Sequence, residues 1–273
     1  MQIDPFFQVP QRSYPTSHGN IQLPVLFKEA DAIITLFSCQ RDRVCDQLAG
    51  TGLTPALVFG NQALVSITLY NFEISSIGPY RTAMLAIPVV RSRSRSGRSP
   101  WRELFLPADK RHMGFYLLGS CANTPVATAS AKEIWGYNKQ LTQIDFSLRE
   151  SRLHCRVSDG VSTLLQLRGT GLRLASIKTL EFNMFSFRHN ALLRTLLNTR
   201  GRFDAQLPLR YRLEVGDREH PLTQSLNALN LHGKSPLMVL ASTDYQGRMN
   251  EGVIVEDAPL AKGKAAYANH ITV

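Results

Sequence analysis

Residues 63–72 read ALVSITLYNF, a short run of β-branched and aromatic side chains. Such residues fit a pleated, packed surface, so the stretch predicts a strand. Four further segments share its character: ADAIITLFSC (30–39), TAMLAIPVV (82–90), GFYLLGS (114–120) and GVSTLLQLRG (160–169), bounded by Gly, Pro, Asn or Ser. LHCRVSD (153–159) sits one short turn before the last of these, which predicts a hairpin. Helical signals are few. CQRDRVCDQLAGTGL (39–53) places Val44, Cys45 and Leu48 on one side and stops at Gly50. HNALLRTLLNTRG (189–201) places Leu192, Leu193, Leu196 and Leu197 on one face, with Asn190 as cap and Gly201 as stop. HPLTQSLNAL (220–229) predicts a third, short helix. The expectation is a mainly β (α+β) chain, a barrel or a pair of packed sheets with a few short helices. No repeat or linker divides it, so residues 1–257 are expected to form one domain. The Ala- and Gly-rich tail, 258–273, is expected to be loose or engaged in subunit contacts.

Of the 273 residues, 44% are hydrophobic and 19% charged, which excludes a disordered chain. The start, MQIDPFFQVP, lacks the basic and apolar regions of a signal peptide, and the purest apolar run, MLAIPVV (84–90), is far too short to cross a bilayer. A soluble, cytoplasmic protein with no membrane partner is expected. The four cysteines, Cys39, Cys45, Cys121 and Cys155, form no C-x-x-C pair and have no histidine at zinc-finger spacing, so reduced and mostly buried thiols are expected. No H-x-H or H-x-x-x-H pair, no G-x-S-x-G elbow and no complete phosphate loop is present. No metal and no cofactor is expected.

The net charge of +10 is uneven. Between Arg91 and Arg111, six Arg and one Lys face only Glu103 and Asp109, so this segment carries half the surplus. Its RS-rich core lies in a loop at 91–102. Alternating Arg and Ser can neutralise phosphate backbones, but Trp101 is the only aromatic interleaved there and no recognition element surrounds it. A solvated loop is the simpler reading, and nucleic acid is not the expected partner.

The stretch AKEIWGYNKQL (131–141) carries the chemistry. Read as extended over 133–139, it places Glu133, Trp135, Tyr137 and Lys139 on one face. An amine between aromatic walls loses hydration, which disfavours the ammonium and frees the lone pair. A free amine attacks a ketone or 2-oxo acid to form a Schiff base, an electron sink for breaking neighbouring bonds. The plainer alternative is a snorkelling lysine, its stem on the rings and its head in water.

EIWGYNKQL (133–141) resembles the active-site segment of the acetoacetate decarboxylase family, in which Glu, an aromatic-containing stretch, Tyr or Phe, Pro and Lys follow in this order. IGPYRTAMLAIPV (77–89) is similar to that family's Gly-x-Tyr-x-Glu segment leading into an Ala-Ile-Pro strand, and SLNALNLHGKSPLMVLAS (225–242) to its late helix and strand. The resemblance, weak over residues 30–255, implies a closed, cone-like β-barrel in homo-oligomers, with Lys139 as the Schiff-base lysine. The family is itself the standard example of a lysine nucleophile with a perturbed pKa. Tyr80, Thr82, Tyr137, Gln140 and Glu133 fall on or beside its substrate-binding positions. The departures are specific. Gln140 stands where the decarboxylases carry a second lysine, Asn138 replaces the proline, and Thr82 takes the place of a carboxylate. The arginine and the earlier acidic residue of the family fall near Ala30 and Ile67. With Thr82 in that place, proton transfers fall to Tyr80, Tyr137, Glu73 or water. Three readings follow: a Schiff-base lyase on a small oxo acid other than acetoacetate, a non-catalytic small-molecule-binding homologue with the same cavity, and a structural or nucleic-acid-interacting protein using the RS loop.

Overall fold

The computed structural model describes residues 4–92, 99–104, 106–178, 181–217 and 219–255. The middle of the RS-rich loop (93–98) and the tail from residue 256 lie outside the described residues. A first hairpin, β1 (Arg12–Thr16) and β2 (Gly19–Leu23), leads into the long β3 (Val25–Gln40) and α1 (Arg41–Leu48). Next come β4 (Leu53–Pro55), β5 (Val58–Phe59), β6 (Gln62–Ser75), β7 (Tyr80–Arg91), α2 (Pro100–Glu103) and β8 (Gly114–Ala122). Then follow α3 (Pro125–Trp135), β9 (Lys139–Leu141), β10 (Gln143–Arg149), β11 (Arg152–Ser158) and β12 (Thr163–Lys178). The remainder is β13 (Phe182–Arg188), β14 (Ala191–Arg200), β15 (Arg202–Pro208), β16 (Arg212–Val215), α4 (Pro221–Ala228), β17 (Met238–Met249) and β18 (Val253–Ile254).

Seven strands close a ring in the order β17, β3, β6, β7, β8, β13, β14, with β14 pairing back onto β17. An odd number of staves cannot alternate in direction all the way round. One neighbouring pair must therefore be parallel, and it is β8 with β13 (Phe115 opposite Met184). From β17 the sheet also branches through β15 into an outlying layer of β12, β11, β10 and β16.

The barrel wall is buried on both sides, which is why its strands read as nearly continuous apolar runs. Along β6, Val65, Ile67 and Leu69 pack outward into one core, whereas Ser66, Thr68, Tyr70 and Phe72 face the interior. β7 repeats the rule, with Ala83, Leu85, Ile87 and Val89 outward and Tyr80, Thr82, Met84 and Ala86 inward. The outer core is closed by the outlying sheet (Leu153, Leu165, Leu167, Leu213) and by Val44, Leu48, Leu222 and Leu226 of α1 and α4. In β3 the register shifts between Phe27 and Ala30. That bulge changes the parity, so Phe27 and Ile34 both point inward although seven positions apart.

The strands expected from 30–39, 63–72, 82–90 and 114–120 all form, as does the β11–β12 hairpin. Helices α1 and α4 lie where expected, although Cys45 of α1 is exposed while the other three thiols are buried. The helix expected over 189–201 is instead the end of a hairpin and the strand β14. His189 and Asn190 both have positive φ (49° and 63°), the conformation that a two-residue turn between right-twisting strands needs. Leu192 then joins the outer core while Leu197 faces the interior, so burial of both faces imitates a helical pattern. The extended reading of 133–139 also needs correction, because residues up to Trp135 belong to α3. No helix among the described residues is long and apolar enough to cross a membrane.

Candidate active site

Helix α3 starts at Thr124, whose hydroxyl accepts from the Ala127 amide, with Pro125 in the first turn. It ends at Gly136 in the left-handed region (φ 67°). A Cβ at Gly136 would lie 2.3 Å from the Phe187 carbonyl oxygen, so glycine is required by space as well as by φ. This reversal sends Tyr137 and Asn138 into β9, which pairs in parallel with β8 so that Lys139 lies opposite Ser120. Two bonds pin the corner: the Ser186 hydroxyl donates to the Trp135 carbonyl (2.6 Å), and the Trp135 indole donates to the Asn250 carbonyl (2.9 Å). Trp135 and Tyr137 still come together, stacked at 6.2 Å between ring centroids, through a helix, a turn and a strand.

The barrel interior contains a cavity of about 90 Å³. Lys139 opens onto it and is only 5% exposed. Its Nζ donates to Thr82 Oγ1 (2.9 Å), and the Thr82 hydroxyl in turn donates to the Cys121 carbonyl (2.7 Å). Burial lowers the Lys139 pKa to about 8, tempered by the nearby Cys121. At pH 7 that leaves about a tenth of the chains with a free amine, far more than an ordinary lysine gives. Burial also pushes the hydroxyls of Tyr80 and Tyr137 up, so at neutral pH both are proton donors and not bases. Cys121 is likewise held as a thiol, its pKa raised to about 11 by burial.

Of the residues expected at the site, Lys139, Tyr80, Thr82 and Tyr137 line the cavity together. Glu133 does not. It lies on the exposed side of α3 and accepts from the Ser17 amide and hydroxyl. Gln140 points away from Lys139, its amide donating to Asn138 Oδ1. Glu73 is exposed on β6 beside Asn71. Trp135, placed on the Lys139 face by the sequence, lines the cavity too, whereas Phe27, Phe72, Tyr70 and Tyr245 on one side and Phe115, Phe182 and Met184 on the other were not singled out from the sequence. The alternation of Ser66, Thr68, Tyr70 and Phe72 within ALVSITLYNF is the signal that identifies one wall. No group of His, Cys, Asp and Glu among the described residues is arranged to hold a metal ion.

A closed seven-stranded barrel with a buried lysine on its inner wall defines the class of protein. The family model for acetoacetate decarboxylase matches residues 9–233, and the chain belongs to that family. Among solved structures, it resembles the acetoacetate decarboxylase from Legionella pneumophila at 15% identity and a TM-score of 0.60, covering 91% of this chain and 93% of that one. It also resembles an acetoacetate decarboxylase-like enzyme from Sphingomonas wittichii at 13% identity and a TM-score of 0.57, with 86% and 94% covered. The enduracididine biosynthesis enzyme MppR, complexed with pyruvate, is similar at 11% identity and a TM-score of 0.56, with 86% and 91% covered. No curated protein sequence matches.

Proposed function

We propose that the protein is a Schiff-base-forming lyase, of the decarboxylase or aldolase-dehydratase type, that acts on a small carbonyl substrate through Lys139. The family resemblance points to a small oxo acid other than acetoacetate, and the pyruvate bound to MppR agrees with a compact ligand of that size. The observation that carries the reading is the Lys139 amine, buried on the wall of the barrel cavity and hydrogen-bonded to the neutral Thr82 hydroxyl. Desolvation does what the second lysine is credited with in the decarboxylases, since Gln140 supplies no charge. The free amine adds to the carbonyl carbon, water leaves, and the protonated imine draws electrons from the adjacent bond. Tyr80, a neutral hydroxyl lining the same cavity, is the proposed donor to the oxygen that departs, with Tyr137 the second candidate. A homo-oligomer is proposed, as the family resemblance implies, and a cytoplasmic location is proposed with it. The exposed Leu172 and Leu207, opposite each other on β12 and β15, with Leu174 and Leu209 nearby, offer a surface for self-association.

Borohydride added with pyruvate, acetoacetate and a panel of oxo acids tests the proposal. The expected result is a covalent adduct mapping to Lys139 and absent from Lys139→Ala. Unchanged mass across the panel and with uncharged ketones as well would leave the barrel as a non-catalytic binding module, its lysine a charge partner for a carboxylate ligand.

A further inference from the structure

Apart from Lys139 itself, the cavity is lined by side chains that cannot neutralise a carboxylate. Among the described residues of its wall, Lys139 is the only ionisable cation; there is no Arg and no His, and no Asp or Glu either. Three of the lining hydroxyls are committed to backbone carbonyls: Thr82 to Cys121, Ser66 to Ala86 and Ser130 to Val126. The hydroxyl of Tyr137 faces Thr195, and that of Tyr245 faces Tyr70, yet neither makes a well-formed hydrogen bond. What surrounds a ligand beside Lys139 is therefore mostly phenyl, indole and thioether wall.

We infer that this cavity selects an uncharged ketone or aldehyde of a few carbons, and that free oxo acids are poor Schiff-base partners for it. The inference rests on the Schiff-base reading above and narrows its substrate class. Two effects disfavour the acid. A carboxylate brought into the cavity sheds its hydration without gaining a dedicated cation, which is costly in an apolar surround. If it pairs with Lys139 instead, the negative charge stabilises the ammonium and removes the lone pair that the reaction needs. A neutral carbonyl meets neither obstacle, since it carries no charge to desolvate or to pair with the amine. The volume of about 90 Å³ bounds the ligand to a compact molecule. The step is a condensation: the Lys139 nitrogen bonds to the carbonyl carbon, two protons from the amine leave with the carbonyl oxygen as water, and a C=N bond remains. An uncharged ketone has no carboxylate to lose, so the chemistry that follows belongs to aldol-type bond making and breaking at the neighbouring carbon.

Matched pairs test this with the full-length protein. In 3-methylbutan-2-one an isopropyl group replaces the carboxylate of pyruvate, and 4-methylpentan-2-one stands in the same relation to acetoacetate. Each compound is incubated with borohydride, and the adduct at Lys139 is followed by peptide mass mapping. Each rate is then divided by that of free lysine amide, which removes the greater intrinsic electrophilicity of the oxo acids. The neutral member of each pair is expected to react about tenfold faster or more, a small part of what an unpaired buried carboxylate costs. Equal or faster trapping of the acids overturns the inference and leaves the Schiff-base reading intact. Absence of trapping by all four compounds overturns both.

Discussion

At the scale of single residues, the Lys139–Thr82 contact links burial to reactivity. The hydroxyl of Thr82 spends its proton on the Cys121 carbonyl, so its oxygen accepts from Nζ and favours the ammonium. Thr82→Val removes that acceptor. The midpoint of reductive trapping against pH should then fall below about 8, by about one unit or more; an unmoved midpoint would show that Thr82 has no hold on the amine. The buried lysine also sets a stability profile. Its folded pKa of about 8 lies below the unfolded value of 10.5, so between these values the unfolded chain carries the extra proton. Stability therefore rises as the pH goes from about 8 to 10.5, and the full cost of burying the ammonium is felt below that window. Lys139→Met, compared with the natural chain by urea unfolding, should be more stable by up to about 3 kcal/mol at pH 7, and the gap should narrow towards pH 10.5. A gap independent of pH would argue against a depressed pKa.

At the scale of elements, the turn at Gly136 brings the site together. Gly136→Ala must place a methyl against the Phe187 carbonyl as well as adopt a left-handed φ. Its cost in thermal or urea unfolding should exceed the roughly 1–2 kcal/mol of the φ alone, and trapping at Lys139 should fall with it. At the β13–β14 turn the cost is conformational only. Asn190→Gly should leave stability within about 0.5 kcal/mol, whereas Asn190→Val should lower it by about 1–2 kcal/mol. The sequence announces strands more clearly than it announces these corners. ALVSITLYNF and TAMLAIPVV are recognisable because length and branching identify a strand even when polarity fails to alternate. HNALLRTLLNTRG misleads because a stave packed on both faces places leucines at helical intervals. The site is legible in part: Trp135, Tyr137 and Lys139 converge as their alternation suggests, but through α3 and Gly136, a route that strand periodicity does not encode. Phe27 was out of reach, since its inward orientation depends on a bulge in β3 that leaves no clear mark on the residues around it.

At the scale of the whole molecule, one core joins the barrel to the outlying sheet. Leu153, in β11, is 1% exposed and packs into the same cluster as Ile67 and Leu85 of the barrel wall. Leu153→Ala should therefore cost about 2–5 kcal/mol, and calorimetry should still record a single transition. Two resolved transitions would mean that the barrel and the sheet unfold as separate units, against the expectation of one domain over residues 1–257. The two-sided wall has a further consequence. Each stave carries two interleaved texts: Val65, Ile67 and Leu69 are written for the scaffold, and Ser66, Thr68 and Tyr70 for the chamber. Since neighbours along a strand face opposite compartments, the chamber can be rewritten one letter in two while the scaffold is read unchanged. A chain at 11–15% identity to its structural relatives can thus keep their barrel and line it with different chemistry. In such a fold, kinship of architecture and kinship of substrate are inherited separately.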